Sequence, residues 1–294
     1  EAYSHLFKLL AEPGDEVLVP KPSYPLLDFL TTLDSIQSIQ YPLKYDAERG
    51  WQIDLEALHN LISDKTKAIV VVSPNNPTGS YLKTNELAEL NALCAKNSLA
   101  LIVDEVFADY RYQARADQVE TAVGNDGALT FALSGLSKIV GLPQVKLGWI
   151  QVSGPASLVA EAGSRLEFIA DTYLSVATPV QHAAERLLAQ RRAIQQQIIA
   201  RLDDNYRFLE SQCATSPNCR VLIREGGWYA VLEIDDDTPD DDRVLQFLEQ
   251  DNVFVHPGYF YDFDQDGILV LSLLTPPSIF QAGVSKILAR IRMI

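Results

Sequence analysis

No apolar run in the 294 residues approaches the ~20 needed to cross a bilayer, so a helical membrane span is not expected. Positive charge is scarce: 24 Lys and Arg stand against 39 Asp and Glu, for a formal net charge of −15. A general nucleic-acid binder carries a basic footprint, so no nucleic-acid partner is expected. Only three cysteines occur, Cys94, Cys213 and Cys219. They form neither an even disulfide framework nor a CxxC metal pair, which predicts reduced thiols in a cytoplasmic protein. There is no internal repeat or low-complexity segment. An apolar fraction of 47% excludes a disordered or collagen-like chain. An initiating methionine is also missing: the chain opens at Glu1 in a helix-like stretch, so an N-terminally truncated protein is expected.

The length suits one large domain or two ordinary ones. Val17–Pro20 reads as a strand after the turn Pro13-Gly14-Asp15. Asp54 is placed to cap a helix whose Leu55, Leu58, Leu61 and Ile62 share one face. Ala68–Val72, Leu99–Val103 and Ala128–Leu133 read as buried strands, and Leu147–Val152 as another. A helix over Glu86–Lys96 separates the first two, with Leu87, Leu90 and Leu93 at helical spacing. Strands alternating with helices predict an α/β domain: a mostly parallel sheet with helices on both faces. From Thr178 to about Gln212 the pattern is one long helix. Beyond it, Arg220–Ile223, Trp228–Ile234, Val253–His256 and Ile268–Leu273 are strand-like, and a last helix carries Phe280, Val284, Ile287, Leu288 and Ile291. The predicted division is a large domain over 1–180, then a linking helix and a smaller α+β domain over 181–294. The acidic run Asp235-Asp236-Asp237 with Asp240-Asp241-Asp242 lacks the spacing of a calcium loop and reads as a solvated turn capping the next helix.

Ligands of open parallel sheets bind beyond the carboxyl ends of the strands. After Ala68–Val72 comes Ser73-Pro74-Asn75-Asn76-Pro77-Thr78-Gly79, and after Leu99–Val103 comes Asp104-Glu105. After Ala128–Leu133 comes Ser134-Gly135-Leu136-Ser137-Lys138. An amide, a carboxylate and an amine are therefore expected on one rim. Pyridoxal phosphate needs such a set: an amine for its aldehyde, a carboxylate for its pyridine nitrogen, and an amide for its ring oxygen. Gly283-Val284-Ser285-Lys286 mimics the third motif, but Lys286 falls in the terminal amphipathic helix and reads as a surface charge.

On NNPTG, the strand-closing Asp-Glu pair and the Ser-Lys loop, in that order, the chain resembles the class I/II aminotransferases. The resemblance implies the pyridoxal phosphate fold type I large domain, with a seven-stranded mostly parallel sheet, and a smaller C-terminal domain. It implies that Lys138 carries the cofactor as a Schiff base and shuttles the proton, while Asp104 holds the pyridine nitrogen and Asn76 the ring oxygen. Tyr24, in Pro22-Ser23-Tyr24-Pro25, falls where an aromatic ring stacks on the cofactor. Ser137 is a phosphate hydroxyl, the loop around Gly135 a source of N–H groups, and Lys146 stands where relatives carry a phosphate-binding arginine. An amino donor, a 2-oxo acid or related carbonyl acceptor, and a homodimer with surface aromatics such as Tyr173 are implied as well.

Three features depart from the resembled pattern. Phe107 stands where a tyrosine is usual. Val270, in Val270-Leu271-Ser272, stands where an arginine usually holds the substrate carboxylate, and Arg224 is the substitute expected from its place before Gly226-Gly227. The N-terminal portion that supplies part of the phosphate loop is not in the sequence. A β-lyase or decarboxylase on the same scaffold, or the aminotransferase-like effector domain of a transcription regulator, are the alternative readings.

Overall fold

The computed structural model describes residues 1–236 and 238–292, so Asp237 of the acidic run lies outside the described residues. Seven strands make the large sheet: β1 (Glu16–Lys21), β2 (Gln37–Asp46), β3 (Gly50–Ile53), β4 (Thr66–Val72), β5 (Ala100–Asp104), β6 (Thr130–Gly135) and β7 (Gly148–Ser153). Their order is β3-β2-β1-β4-β5-β6-β7. The five inner strands are parallel, and the two edge strands are antiparallel to their neighbours. The expected mostly parallel seven-stranded sheet is present. The strand expected over Leu147–Val152 is β7, which runs back along β6 because the chain reverses within the short helical stretch over 136–145, with the Leu136 N–H donating to Leu147 O at 2.9 Å. The hairpin β2–β3 escaped the sequence reading because Tyr41 is the only buried side chain of β2, leaving no apolar run to read.

Helices α1 (Ala2–Leu10), α2 (Leu26–Leu33), α3 (Leu55–Leu61), α4 (Thr84–Asn97), α5 (Leu136–Ile139) and α6 (Ala156–Asp171) accompany these strands. Alternate residues of the central strands feed two cores. Val17, Val19, Ala68, Val70, Ala100 and Ile102 pack with α1, α2 and α6. Leu18, Ile69, Val71, Leu101 and Val103 pack with α3 and α4. Fully burying each such side chain contributes ~1.5–3 kcal/mol, so the strand ends are rigidly placed. Asp54 caps α3 as expected, its carboxylate accepting from the Ala57 N–H at 3.2 Å.

The long helix predicted over Thr178–Gln212 is two helices, α7 (Thr178–Ala189) and α8 (Arg191–Cys213). The break falls at Gln190, whose N–H reaches back three residues to Leu187 O instead of four. There follow β8 (Cys219–Val221), β9 (Tyr229–Ile234), α9 (Asp240–Asp251), β10 (His256–Pro257), β11 (Ile268–Ser272) and α10 (Pro277–Ile291). The four strands form an antiparallel sheet in the order β10-β11-β9-β8. The strand expected over Val253–His256 is confined to its end, because the Val253 N–H closes α9 onto Phe247 O and Phe254 is 73% exposed. One face of this sheet packs on α8 and α10; the other meets Trp51 and Tyr45 of the β2–β3 hairpin.

The acidic run has structural work. Arg243 donates to both Asp236 oxygens, at 2.6 and 2.9 Å, and Asp240 to Asp242 fill the first turn of α9. Among the described residues no cluster of acidic, histidine or cysteine side chains is arranged to hold a metal, and no helix is long and apolar enough to cross a membrane. The three cysteines are buried free thiols.

Candidate active site

Asp104 closes β5, between Val72 of β4 and Leu133 of β6 in register. The predicted convergence is therefore built by adjacent parallel strands. Two further bonds pin the rim: the Ser73 N–H donates to Asp104 O at 2.9 Å, and the Glu105 N–H to Leu133 O at 2.8 Å. The Asp104 carboxylate accepts from the Val106 N–H at 3.1 Å and from the Tyr3 hydroxyl of α1 at 2.8 Å. Burial raises its proton affinity above the usual aspartate range; the two hydrogen bonds and the Lys138 charge pull it back.

Lys138 is half-buried on α5. Its Nζ lies 5.2 Å from the Phe107 ring centre and 4.9 Å from that of Trp228. Burial lowers its proton affinity below that of an ordinary lysine, and the nearby Asp104 charge acts in the opposite sense. The amine makes no ion pair with the described residues, and the two aromatic rings flank it. Its own carbonyl accepts from the Tyr110 hydroxyl, which fixes the turn. Gly135 leads into that turn, where a Cβ would meet Leu147 O at 2.8 Å.

In the NNPTG turn the two asparagines divide the labour. Asn75 is buried and saturated: it accepts from the Ser23 hydroxyl at 3.0 Å and donates to Pro22 O and the Thr78 hydroxyl, each at 2.9 Å. That network ties the Tyr24 loop to the rim. Asn76 Oδ1, in contrast, is buried without a hydrogen-bond partner among the described residues. Tyr24 is 50% exposed, its ring centre 6.4 Å from that of Tyr261.

Other expectations fare differently. Ser137 is half-buried beside Lys138 on α5. Lys146 is exposed; the Leu136–Leu147 bond keeps its segment beside α5, but its side chain makes no hydrogen bond or ion pair with the described residues. The Leu136 N–H, one of the donors expected around Gly135, is consumed by that same bond. Arg224 packs against the NNPTG turn, its Cγ 3.3 Å from where a Cβ on Gly79 would lie. It is 4% exposed, donates to Gly227 O at 2.8 Å, and has its guanidinium 5.1 and 5.3 Å from the Tyr112 and Tyr206 ring centres. Asp203 lies 3.7 Å from Nη1, and neither Nε nor Nη1 makes a hydrogen bond with the described residues. Val270 is buried against Trp51, Val231 and Tyr261, and no cation occupies its place on β11. Lys286 is the surface charge expected, donating to Asp251 O at 2.7 Å.

Sequence reasoning missed Tyr3 and Trp228. Tyr3 sits at helical spacing with Leu6 and Phe7 and reads as core; Trp228 follows the Gly226-Gly227 turn, whose link to the NNPTG turn needs the fold. Gly79 shows that link: with φ +73°, a Cβ there would lie 2.6 Å from Gly226 O.

Fold and site together define the class, and the chain belongs to the class I and II aminotransferases, whose family model matches residues 1–276. It is 28% identical to an alanine aminotransferase of Mycobacterium bovis over 264 residues, covering 88% of this chain and 61% of that protein. A glutamate-pyruvate aminotransferase of Haemophilus influenzae is also 28% identical, with 88% and 65% covered. The chain thus spans about three-fifths of the length of these relatives. An alanine aminotransferase structure from Pyrococcus furiosus superposes with a TM-score of 0.88 at 23% identity, covering 100% of this chain and 74% of that one.

The residues present fit pyridoxal 5'-phosphate. A desolvated amine, a carboxylate with lone pairs to spare, the Asn76 side chain, whose NH2 is the half that can donate, and a half-exposed aromatic ring correspond to its aldehyde, ring nitrogen, ring oxygen and ring face.

Proposed function

We propose that this chain carries the core of a pyridoxal-phosphate aminotransferase, which moves an amino group from a small amino donor to a 2-oxo acid. The observation that carries this reading is the Lys138 amine, set between two aromatic rings, without an ion pair among the described residues, and within the field of Asp104. Relatives named for alanine and for glutamate–pyruvate exchange support an α-amino acid donor and a 2-oxo acid acceptor.

Bound there, the cofactor supplies a carbonyl for the amine and a ring that accepts electrons. Lys138 would hold the cofactor through that carbonyl carbon, and its Nζ, as base and then acid, would carry the proton from the substrate carbon to the cofactor carbon. Its lowered proton affinity enlarges the neutral fraction available as base. Asp104 would hold the ring nitrogen and its proton. Tyr24 would pack on the ring, and Asn76 would donate an amide N–H to the ring oxygen. Phe107 adds an apolar wall and no donor. Ser137 and Lys146 serve the phosphate, with Lys146 as a flexible point charge.

A homodimer in the cytoplasm is part of the proposal; Phe168, Tyr173 and Leu174, exposed by 75, 40 and 98%, support an additional contact surface. The test is a single-turnover reaction of the pyridoxal-phosphate-loaded protein with L-alanine. Stoichiometric conversion of the cofactor to its amine form is expected; an aldehyde form left unreacted by L-alanine, with ammonia, chloride and pyruvate released from β-chloro-L-alanine, would establish lyase chemistry instead.

A further inference from the structure

Asp104 must meet a ring nitrogen while part of its surroundings is apolar, so something has to hold the carboxylate in place and in its charged form. The Tyr3 hydroxyl, 2.8 Å from Oδ2, stands opposite the Val106 N–H on Oδ1. Tyr3 comes from the first turn of α1, a hundred residues from Asp104 in sequence, and only 9% of it is exposed. Its ring is fixed by Phe7, with ring centres 6.0 Å apart, and by the core that locks Leu6 and Phe7 against β1 and β4.

We propose that Tyr3 is a positioning residue for Asp104, its hydroxyl fixing the rotamer and charge of the carboxylate that receives the pyridine nitrogen. This rests on the aminotransferase reading. A carboxylate accepts about four hydrogen bonds. Tyr3 and Val106 take one on each oxygen, which leaves acceptor capacity for the ring N–H and fixes the plane in which it lies. The phenol is a dependable donor: burial first, and then the Asp104 charge, push its ionisation well above the ordinary tyrosine range. The contact therefore stays a phenol donating to a carboxylate across the neutral range. The other ionisable groups facing the pair are Lys138 from α5, Glu105 beside Asp104, and Tyr41 from β2, which bears on Tyr3. Of these Lys138 alone is cationic, and it works in the same sense as Tyr3.

Tyr3→Phe removes one oxygen and keeps the ring that packs on Phe7. With aspartate carboxyl groups labelled with carbon-13 in the full chain, and Asp104→Asn to assign the signal, the Asp104 titration is expected to move to higher pH in Tyr3→Phe. The variant is expected to bind pyridoxal phosphate ~10-fold more weakly, with kcat falling more than KM rises. Tyr3→Leu serves as the packing control. An Asp104 titration that is the same in wild type and Tyr3→Phe, with only Tyr3→Leu impaired, overturns the proposal and makes Tyr3 a core residue. Failure of the wild-type chain to take up pyridoxal phosphate would remove the functional reading, while the carboxyl titration would still decide the Tyr3 contact.

Discussion

Lys83 and Lys138 are both withdrawn from solvent near a carboxylate, and they are held in opposite ways. Lys83 meets Glu225 directly, at 2.7 and 2.5 Å from its two oxygens, and also donates to Tyr81 O at 2.7 Å. Glu225 takes the Tyr81 N–H and Gln118 Nε2 as well, so both charges are saturated. The pair joins the segment after β4 to the turn before β9, and with it the two sheets. Lys138 and Asp104 share no bond. Asp104 is oriented by Tyr3 and Val106, and Lys138 by Phe107 and Trp228. A satisfied pair fixes structure. A couple that interacts without closing on itself leaves room for a ligand to be received between its members, and its charged forms carry the shifts that chemistry uses.

The largest separation of the two lysines should come from Lys138→Ala. Transamination is expected to fall by at least ~10³-fold, as measured by single turnover, because this amine acts as both attachment point and base. Thermal unfolding should barely change. Glu225→Ala should do the reverse. It strands the Lys83 charge in an apolar setting and is expected to cost ~3–5 kcal/mol in denaturant unfolding. Replacing both partners, as in Lys83→Met with Glu225→Leu, should recover most of that loss, and a double variant no better than the single one would show that the pair is not the source. Asp104→Asn should keep the fold and lower turnover by ~10²-fold, since a neutral amide cannot hold the proton on the ring nitrogen.

A third buried couple gives the smallest expected effect. Arg243 first, and then the hydrogen bonds from Thr238, hold the Asp236 carboxyl down to about 2, against an ordinary value of 3.8. Because the folded value is depressed, its stabilisation is fully present above pH ~4 and is lost as the pH falls toward 2. Asp236→Asn should therefore cost ~2 kcal/mol at pH 7 and almost nothing near pH 2, as read by urea unfolding at the two pH values.

How much of this was visible in the sequence follows from where each signal lies. Buried strands such as Ala68–Val72 read directly, because a strand covered on both faces leaves a continuous apolar run. The groups that follow them were legible for the same reason, since the end of a strand is also the start of its rim. The hairpin β2–β3 left no such trace. The burial of Arg224 was not legible, because its position before a glycine pair does not reveal the two tyrosines, from different elements, that flank it. Tyr3 was invisible as a partner of Asp104 because a contact between α1 and the end of β5 exists only after both have packed on the sheet.

The central claim, that the Lys138 amine receives the cofactor carbonyl, is tested most directly by trapping. Protein incubated with pyridoxal phosphate is reduced with borohydride, digested, and mapped by mass spectrometry. The account predicts one stoichiometric phosphopyridoxyl group on Lys138, absent after Lys138→Ala. Modification centred on Lys286, Lys146 or another lysine, with Lys138 unlabelled, would contradict it.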